Sequence, residues 1–237
     1  MVEGPNVLAE AVASGVPIEA VFLGHGAPDD VARLARTSCS RVHELGPGVL
    51  ERVAGTVTPQ PVLAVLPYLD VPLDEVLGAS FLVVCVDVRD PGNAGTILRS
   101  AEASGADGVI CCAGSVDVYN PKTVRASAGA LFHVPVVAAG DAGAVLDRVG
   151  ERETRRLSAV PHGGRTYTEA DLRGRVAIVL GNEAVGLPAG VLPHVDELVT
   201  IPMAGRSESL NVGMAAAVLC FEVARQRRTT AARKAAG

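Results

Sequence analysis

Three short segments carry the residue types that could bind a nucleotide-like ligand and position a polar substrate. Each places Gly, Pro or Asn where an apolar run stops and a helical pattern starts. The segments are residues 87–99 (DVRDPGNAGTILR), 180–187 (LGNEAVGL) and 201–211 (IPMAGRSESLN). Glycine permits close approach of the backbone, and the free N–H groups at a helix start suit polar or anionic groups. One such segment alone predicts a turn, whereas three in succession predict a site.

The first segment follows the unbroken apolar run Phe81–Val86 and contains Asn93 and Arg99. Open α/β sheets bind ligands where a strand ends and a helix begins. Residue types alone favour an ordinary turn capped by Asp or Asn. Arg99 changes that balance, because a planar guanidinium among small and apolar residues could reach back to a phosphate. The alternative is an ordinary surface arginine.

The second and third segments also follow apolar strands. Glu183, next to Asn182, could hold an amine or hydroxyl of a ligand, or it could be a solvated acid in a turn. The Gly- and Pro-containing backbone of the third segment could bind an adenine edge without side chains. The alternative there is Ser209 as a plain N-cap, with Asn211 in the first helical turn.

Residues 120–130 place two cations on a helix of otherwise small residues. Lys122 and Arg125, with Ser127 beside them, could contact RNA phosphates. The same pattern is typical of a solvated helix face, and both interpretations stay open.

Other common sites lack their motifs. No G-x-G-x-x-G follows a strand, and a P-loop, a nucleophile elbow and an H-E-x-x-H pair are absent from the sequence. The five Cys residues have no metal-ligand spacing, and three lie in apolar runs, which predicts a reducing, cytoplasmic location and no metal. No apolar run approaches the ~20 residues of a membrane helix, and no secretory leader is evident.

Composition and periodicity predict an α/β protein. The 237 residues are 49% hydrophobic and only 3% aromatic, so the core must be built from Val, Leu, Ile and Ala. From Phe81 onward, apolar runs alternate with helical patterns, which indicates a parallel sheet covered on both faces. We expect strands at 81–86, 108–112, 134–138, 157–160, 176–180 and 198–201, and helices at 94–104, 122–130, 142–152 and 210–228.

A smaller α/β unit is predicted ahead of this sheet, over residues 1–67. Its expected elements are a helix at 7–14 capped by Asn6, strands at 18–23, 42–45 and 62–66, and helices at 28–35 and 49–53. Pro67 and Pro72 mark a stiff linker over residues 68–80. The main domain then covers 81–228, followed by a flexible tail at 229–237.

The three segments, in this order and at these separations, resemble the signature motifs of the SpoU/TrmH family of RNA 2′-O-methyltransferases. The resemblance covers roughly residues 81–228. It implies the SPOUT fold, a parallel sheet with a C-terminal trefoil knot, which sequence physics alone would not predict because knots are rare. It also implies S-adenosylmethionine as cofactor, a homodimer, and cytoplasmic methylation of a ribose 2′-oxygen in RNA, with 23S ribosomal RNA as the first expectation.

Alternatives remain within and outside that class. They are a tRNA methyltransferase, an antibiotic-resistance rRNA methyltransferase, and a catalytically silent RNA-binding protein on the same fold. The last is disfavoured because Arg99, Glu183 and Asn211 are all present.

Residue roles follow from the resemblance. The implied cofactor positions, largely through backbone, are Leu180, Gly181, Asn182, Gly186, Ile201, Met203 and Leu210. The implied catalytic and substrate positions are Asn93, Arg99, Glu183, Ser209 and Asn211. The expected RNA contacts are Lys122, Arg125, Ser127 and Arg206. We expect Arg99 to orient a phosphate and the hydroxyl, since a free guanidinium stays protonated.

The charge of the first unit departs from the family pattern. Residues 1–70 resemble the small substrate-binding domain of such enzymes, yet they carry eight acidic residues against four Arg, a net of −4. The whole chain has a net charge of −5, which argues against broad electrostatic wrapping of RNA but not against a local basic site. We therefore expect either weak RNA capture by this unit or a further basic segment ahead of it.

Overall fold

A computed structural model of the protein describes residues 1–54 and 59–235, with side chains described up to Thr229. The N-terminal unit contains β1 (Val2–Glu3), α1 (Pro5–Ala13), β2 (Ala20–Leu23), α2 (Asp29–Ser38), β3 (Val42–Glu44), α3 (Leu50–Val53) and β4 (Val62–Val65). Its sheet has the order β1-β4-β2-β3, with β4 antiparallel to both neighbours and β3 parallel to β2. The predicted elements are confirmed, but β1 was missed because two residues show no period.

The start of α1 differs from its prediction. Gly4, at φ 110°, occupies the N-cap, and Pro5 takes the first helical position. Asn6 lies inside the first turn, so its prediction as the cap is wrong. The physical reason is Pro5, whose fixed φ and missing N–H suit the first helical position and move the helix start forward. Gly15, at φ 70°, follows the helix end as expected.

The second sheet has seven strands, all parallel to their neighbours. The strands are β5 (Phe81–Cys85), β6 (Gly108–Cys111), β7 (Val136–Ala138), β8 (Arg155–Ala159), β9 (Arg165–Thr166), β10 (Val176–Leu180) and β11 (Glu197–Thr200). Their order across the sheet is β7-β6-β5-β10-β8-β11-β9. The predicted parallel sheet is confirmed, with β9 as an additional edge strand too short to stand out in the sequence.

Helices cover both faces of this sheet. They are α4 (Leu73–Val76), α5 (Pro91–Ser104), α6 (Pro121–Ser127), α7 (Ala142–Gly150) and α8 (Val212–Ala235). Side chains of β5 alternate between two buried clusters, one containing residues of α5, α6 and α8 and the other containing residues of α4 and α7. The strand is apolar throughout because each face is buried under a helical layer.

The segment predicted as a linker is packed against the sheet. Val71 donates its N–H to the carbonyl of Val136 on the edge strand β7, at 2.9 Å. Residues of the helical turn α4 follow, with Val76 and Leu77 buried. This stretch therefore covers the sheet edge, as edge strands require.

The C-terminal helix is longer than predicted. It continues through the expected tail as far as Ala235, so the boundary at 229 is wrong as a helix end. Residues 236–237 lie outside the described part. Within the described part of the chain, none of the helices is both long enough and apolar enough to span a membrane. The trefoil knot stays a prediction of the resemblance. In the sheet, β10 lies between β5 and β8, although it follows both of them in the chain.

The two units share one buried apolar cluster, which contains Leu8 and Val21 of the small unit together with Val124 and Leu131 of the large one. Polar contacts cross the same boundary. The Arg125 guanidinium lies 3.5 Å from the Glu3 carboxylate, and His133 Nε2 lies 3.1 Å from Glu10 Oε2. The small unit is thus seated on α6 and the turn that follows it.

The contact between α5 and α6 leaves no room at Gly95. A Cβ there would lie 2.4 Å from Cβ of Ala126 and 2.8 Å from the carbonyl oxygen of Thr123. We expect Gly95→Ala to destabilise the protein by about 1–3 kcal/mol, the usual range for overpacking, despite the better helix propensity of Ala. The midpoint of urea unfolding measures this. Gly78→Ala, where nothing lies within 4 Å, is the control; equal midpoints for both variants would contradict the close contact.

Candidate active site

The ends of three neighbouring strands open into one cavity. It has a volume of about 400 Å³ and lies at the carboxyl ends of β8, β10 and β11. Parallel sheets bind ligands at this edge. The lining residues come from the ends of these three strands, the loops that follow them and the first turns of α8, and are 159–162, 180–186, Val199, Ile201, Met203, 208–210, Val212 and Ala215. The cavity therefore contains all seven predicted cofactor positions.

Gly181 allows the backbone to fold back on itself at the end of β10. A Cβ at this position would lie 2.5 Å from the carbonyl carbon of Gly186 and 2.6 Å from the nitrogen of Leu187. Asn182 and Gly186 exchange both backbone hydrogen bonds, at 3.0 and 2.9 Å, which closes residues 182–186 into a tight loop. Gly186 adopts φ 70°, a conformation that side chains disfavour.

The Asn182 side chain fixes this loop from inside. Its amide nitrogen donates to the backbone carbonyl of Asp87 at 2.9 Å, and its oxygen accepts from the N–H groups of Ala184 and Val185. Asn182 therefore joins the ends of β5 and β10. Asn182 lines the cavity while its polar atoms bond to the protein itself, and its role as a cofactor position stays a prediction.

The loop after β11 keeps its backbone donors available. Among the residues that the structure describes, none accepts a hydrogen bond from the backbone N–H groups of residues 201–210. Ile201, Met203 and Leu210 of this loop line the cavity. A ligand with polar edges can therefore bind to backbone groups here, with apolar side chains against its faces.

A chain of hydrogen bonds joins three of the predicted catalytic residues. Asn93 Nδ2 donates to Glu183 Oε1 at 2.9 Å, and Asn211 Nδ2 donates to Asn93 Oδ1 at 2.8 Å. These residues come from α5, the loop after β10 and the start of α8. Asn93 keeps one amide hydrogen and one oxygen lone pair for a further partner. The structure thus brings together residues up to 118 positions apart in the chain.

Glu183 is held as a carboxylate. Its partial burial would raise the pKa, but the hydrogen bond from Asn93 and those from the backbone N–H groups of Asp90 and Arg89 outweigh it. The net result is a pKa below the ordinary value for Glu. An acid with a lowered pKa is a weak proton acceptor at neutral pH. Glu183 is suited to orienting Asn93 with its negative charge.

The helix starts around the site are capped by its own residues. Asp90 Oδ1 accepts from the N–H of Asn93 at 2.8 Å and caps α5. Asn211 Oδ1 accepts from the N–H groups of Gly213 and Met214 and so begins α8. Ser209 is therefore not the N-cap considered from the sequence; it is exposed and lines the cavity.

Arg99 lies away from this hydrogen-bonded chain. It is six residues beyond Asn93 on α5, about 9 Å along the helix and roughly 120° around it. Its side chain is exposed, and no hydrogen bond or ion pair to any described residue holds its guanidinium. The geometry leaves Arg99 free to contact a molecule outside its own chain.

The predicted RNA contacts differ in their accessibility. Lys122 is exposed, with Nζ 3.8 Å from Asp90 Oδ2, and Arg206 is exposed on the loop after β11. Arg125 is partly committed to Glu3. Ser127 is only 1% exposed, and its hydroxyl donates to the carbonyl of Val124. The prediction of Ser127 as an RNA contact is therefore wrong, because Ser127 lies on the buried side of α6.

Two acid–base residues in the cavity wall were missed from the sequence. His162 follows β8 in a loop with Gly163 and Gly164, and Glu208 precedes Ser209. His162 follows a short strand, and no helix begins after it in the sequence. The pattern of a strand, a Gly- or Asn-containing turn and a helix start, which identified the other segments, therefore does not detect it. Only the insertion of β8 between β10 and β11 brings it to the cavity.

The described residues include possible metal ligands and buried thiols with shifted pKa values. They contain no group of three or more His, Cys, Asp or Glu side chains placed to hold a metal ion. Burial raises the pKa of the Cys112 and Cys220 thiols to about 12, so both stay protonated and behave as small hydrophobes.

The cavity fits S-adenosylmethionine by its chemistry. Free backbone donors in the loop after β11 suit an adenine edge, Leu180 and Ile201 supply apolar contacts, and the carboxylates of Glu183 and Glu208 suit a ligand that carries positive charge. The backbone of Gly181 lies so close to that of Gly186 and Leu187 that any larger residue would collide there. These residues would hold the cofactor mainly through backbone and shape.

Comparisons with known families and proteins agree with this site. Residues 80–221 match the SpoU rRNA Methylase family, and residues 1–70 match the family described as RNA 2'-O ribose methyltransferase substrate binding. The chain is 29% identical to the 23S rRNA (guanosine(2553)-2'-O)-methyltransferase RlmP of Bacillus subtilis, covering 94% of this chain and 87% of that protein. It is 34% identical to the 23S rRNA (uridine(2479)-2'-O)-methyltransferase of Streptomyces viridochromogenes, covering 96% and 83%.

Solved structures show the same architecture over both units. The SpoU methyltransferase AviRb from Streptomyces viridochromogenes, in complex with the cofactor AdoMet, superposes with a TM-score of 0.84 at 30% identity, covering 96% of this chain and 90% of that one. An AdoMet-bound rRNA methyltransferase from Sinorhizobium meliloti gives a TM-score of 0.81 at 29% identity, covering 94% and 85%. From the cavity, the hydrogen-bonded site and these matches, the chain belongs to the SpoU rRNA methylase family of S-adenosylmethionine-dependent RNA 2′-O-ribose methyltransferases.

Proposed function

We propose that this protein methylates the ribose 2′-oxygen of one nucleotide in 23S ribosomal RNA, acting in the cytoplasm as a homodimer. The observation that carries the proposal is the chain of hydrogen bonds from Glu183 through Asn93 to Asn211 beside a cavity suited to the cofactor. The relatives named for 23S rRNA support the choice of RNA. Those two relatives act on different bases, a guanosine and a uridine, so the base is left open.

The reaction needs positioning more than it needs a strong catalytic group. The bound cofactor supplies a methyl group already activated on a sulfonium, and in-line placement of the 2′-oxygen provides much of the rate. Asn93 offers its remaining amide hydrogen and lone pair toward the substrate, and Glu183 and Asn211 fix that amide from both sides. The 2′-hydroxyl is thereby oriented at the mouth of the cavity.

Arg99 serves the RNA from outside this chain of hydrogen bonds. Its exposed guanidinium, on the face of α5 with Thr96, is suited to a phosphate and to stabilising negative charge that develops on the 2′-oxygen. Its separation from Asn93, about 9 Å along α5 and on another face of that helix, supports a role at the substrate site of a second copy. We therefore propose that Arg99 contributes to the partner's site.

The exposed face of α8 supports the dimer. Met214 and Phe221 are 59% and 46% exposed and lie two turns apart on one side, with the half-buried Ala217 and Val218 between them. The opposite side of the helix is buried against the rest of the chain, at Leu219 and Val223 among others. An apolar stripe of this kind on a helix next to α5 is suited to a second copy.

The proposed reaction and its cofactor site can be tested together. We expect the purified protein to transfer tritiated methyl groups from S-adenosylmethionine to deproteinised, undermethylated 23S rRNA, at one ribose that alkaline-cleavage mapping identifies. Gly181→Ala should abolish both transfer and cofactor binding by calorimetry, because its Cβ collides with backbone. Gly190→Ala, with nothing within 4 Å, should bind as the unchanged protein does. Transfer to tRNA alone, or none to either RNA, would refute the proposal.

The role of Glu183 can be separated from that of a general base. Because its folded pKa lies below the ordinary value, the carboxylate contributes stability above that ordinary value, near ~4.3, and loses it as pH falls through the folded pKa. Glu183→Gln keeps an acceptor for Asn93, so we expect less than about a tenfold loss of kcat at neutral pH. Loss of a general base would cost roughly 10²–10⁴-fold. A loss of kcat of that size in Glu183→Gln, together with loss of the plateau that kcat of the unchanged protein reaches at high pH, would overturn the positioning role.

Subunit mixing tests whether Arg99 acts across the dimer. Arg99→Ala and Arg99→Lys should each lose methyl transfer and keep cofactor affinity, since a point charge does not replace a planar fork. Equal mixtures of Arg99→Ala and Gly181→Ala chains should regain part of the activity, because one site then has an intact cavity and the partner's Arg99. Arg152→Ala, an exposed arginine on the far side of the sheet, is the control.

The mixing result has two clear contrary outcomes. No recovery in a mixture that forms mixed dimers would show that Arg99 serves its own site. A mass by light scattering near the 24.2 kDa of one chain at micromolar concentration would refute the dimer itself.

A further inference from the structure

An exposed aromatic side chain lies at the boundary between the two family segments. The chain has only seven aromatic residues, four Phe and three Tyr, and no Trp. Tyr68 is 78% exposed, more than any other of these seven. It stands near the end of the substrate-binding match at residue 70 and before the methylase match begins at residue 80. Tyr68 thus lies in the segment that connects the two units.

Tyr68 is held in place rather than left mobile. Its ring packs edge-to-face on Tyr119, with centroids 4.8 Å apart and an interplanar angle of 65°. The Tyr119 hydroxyl accepts from the N–H of Leu69 at 2.8 Å and donates to Asp70 at 3.0 Å. The backbone on one side of Tyr68 is thus anchored to Tyr119, and Pro67 stiffens the other side. The Tyr119 ring covers part of Tyr68, and with 78% of the residue exposed most of the Tyr68 ring remains open.

A series of contacts connects this ring to the catalytic residues. Tyr119 lies three residues before Lys122, at the start of α6, where Asn120 caps the helix through the N–H of Lys122 at 2.9 Å. The Lys122 ammonium lies 3.8 Å from Asp90, whose other oxygen caps α5 at Asn93. Tyr68 is therefore linked to Asn93 through Tyr119, the start of α6 and Asp90.

Two exposed cations lie next to Asp90 in this series of contacts. The side chains of Arg89 and Lys122 are 71% and 63% exposed and flank Asp90. In a chain with a net charge of −5, local cations of this kind are what attracts a phosphate backbone. Proteins commonly bind single-stranded nucleic acid with cations that hold the phosphates and an exposed aromatic ring on which a base stacks.

We propose that Tyr68 is a stacking platform for an unpaired nucleobase that flanks the methylated nucleotide, with Arg89 and Lys122 holding the phosphates between the two. The inference rests on the proposed function, because it takes RNA as the substrate. It adds a contact to the base, whereas the catalytic residues act on the ribose. Stacking on an aromatic face is tolerant of base identity, so Tyr68 fixes where the strand lies and not which base is methylated.

The absence of Trp from the sequence provides a direct probe. Tyr68→Trp introduces the only tryptophan, so its fluorescence reports on this position alone. We expect strong quenching by a short single-stranded oligoadenylate, and little by an abasic strand of the same length or by duplex RNA. Leu192→Trp, exposed in the turn beside α7 on the opposite face of the sheet, is the matched control and should respond to none of the three.

Substitutions at the same position measure the contribution to substrate binding. Tyr68→Ala and Tyr68→Leu should raise the KM for 23S rRNA between roughly 5-fold and 150-fold, the range given by loss of one aromatic stack. Tyr68→Phe and Tyr68→Trp should stay close to the unchanged protein. All four should keep their kcat and their calorimetric affinity for S-adenosylmethionine, which shows that the fold and the cofactor site are intact.

Each contrary result has its own meaning. Equal quenching by the abasic strand, or a KM that does not change in Tyr68→Ala, overturns the stacking role while the proposed function stands. A tryptophan signal that changes with protein concentration in the absence of RNA places Tyr68 at a protein interface and also overturns it. Failure of the unchanged protein to retain any RNA on a filter refutes the proposed function and this inference together.

Discussion

One carboxylate joins two distant parts of the chain, the loop after β10 and the residues at the start of α5. Glu183 accepts hydrogen bonds from the Asn93 amide and from the two backbone N–H groups that precede α5. Because these donors surround a side chain that is partly withdrawn from water, the ionised form is the stable one, and its pKa falls below the ordinary value. These hydrogen bonds hold the loop after β10 against the loop after β5. The same contacts orient Asn93, which in turn accepts a hydrogen bond from Asn211 at the start of α8.

Much of this arrangement could be predicted from the sequence, and for a specific physical reason. The strands β5 and β10 are apolar at every position because helices cover both faces of the sheet, so their runs stand out from any amphipathic pattern. The polar segment after each run then marks the carboxyl edge, where parallel strands bring their loops together. That reasoning places Asn93, Glu183 and Gly181 at one site without knowledge of the fold. The resemblance to a family supplied what periodicity does not contain, above all the cofactor.

The remaining features depend on tertiary contacts that no local pattern encodes. Rotation of α5 decides that Asn93 faces Glu183 and Asn211 while Arg99 faces outward, and a helical period alone does not say which face is which. Ser127 is buried on the inner side of α6, although Lys122 and Arg125 of the same helix are exposed. His162 reaches the cavity only because β8 is inserted between β10 and β11. The cap of α1 was assigned to Asn6 although Pro5 moves the helix start to Gly4, and the alternative of Ser209 as a cap is wrong because Asn211 caps α8.

Asn211 belongs to two structures at once. Its oxygen begins α8, and its nitrogen holds Asn93. The first turns of that helix also present the apolar stripe that starts at Met214. In the proposed dimer, a second copy settling on the stripe would damp fraying of the same turns that keep Asn211 in place. Catalytic competence would then depend on how many copies of the chain a cell contains, with isolated chains idle and ordered sites appearing only as pairs form.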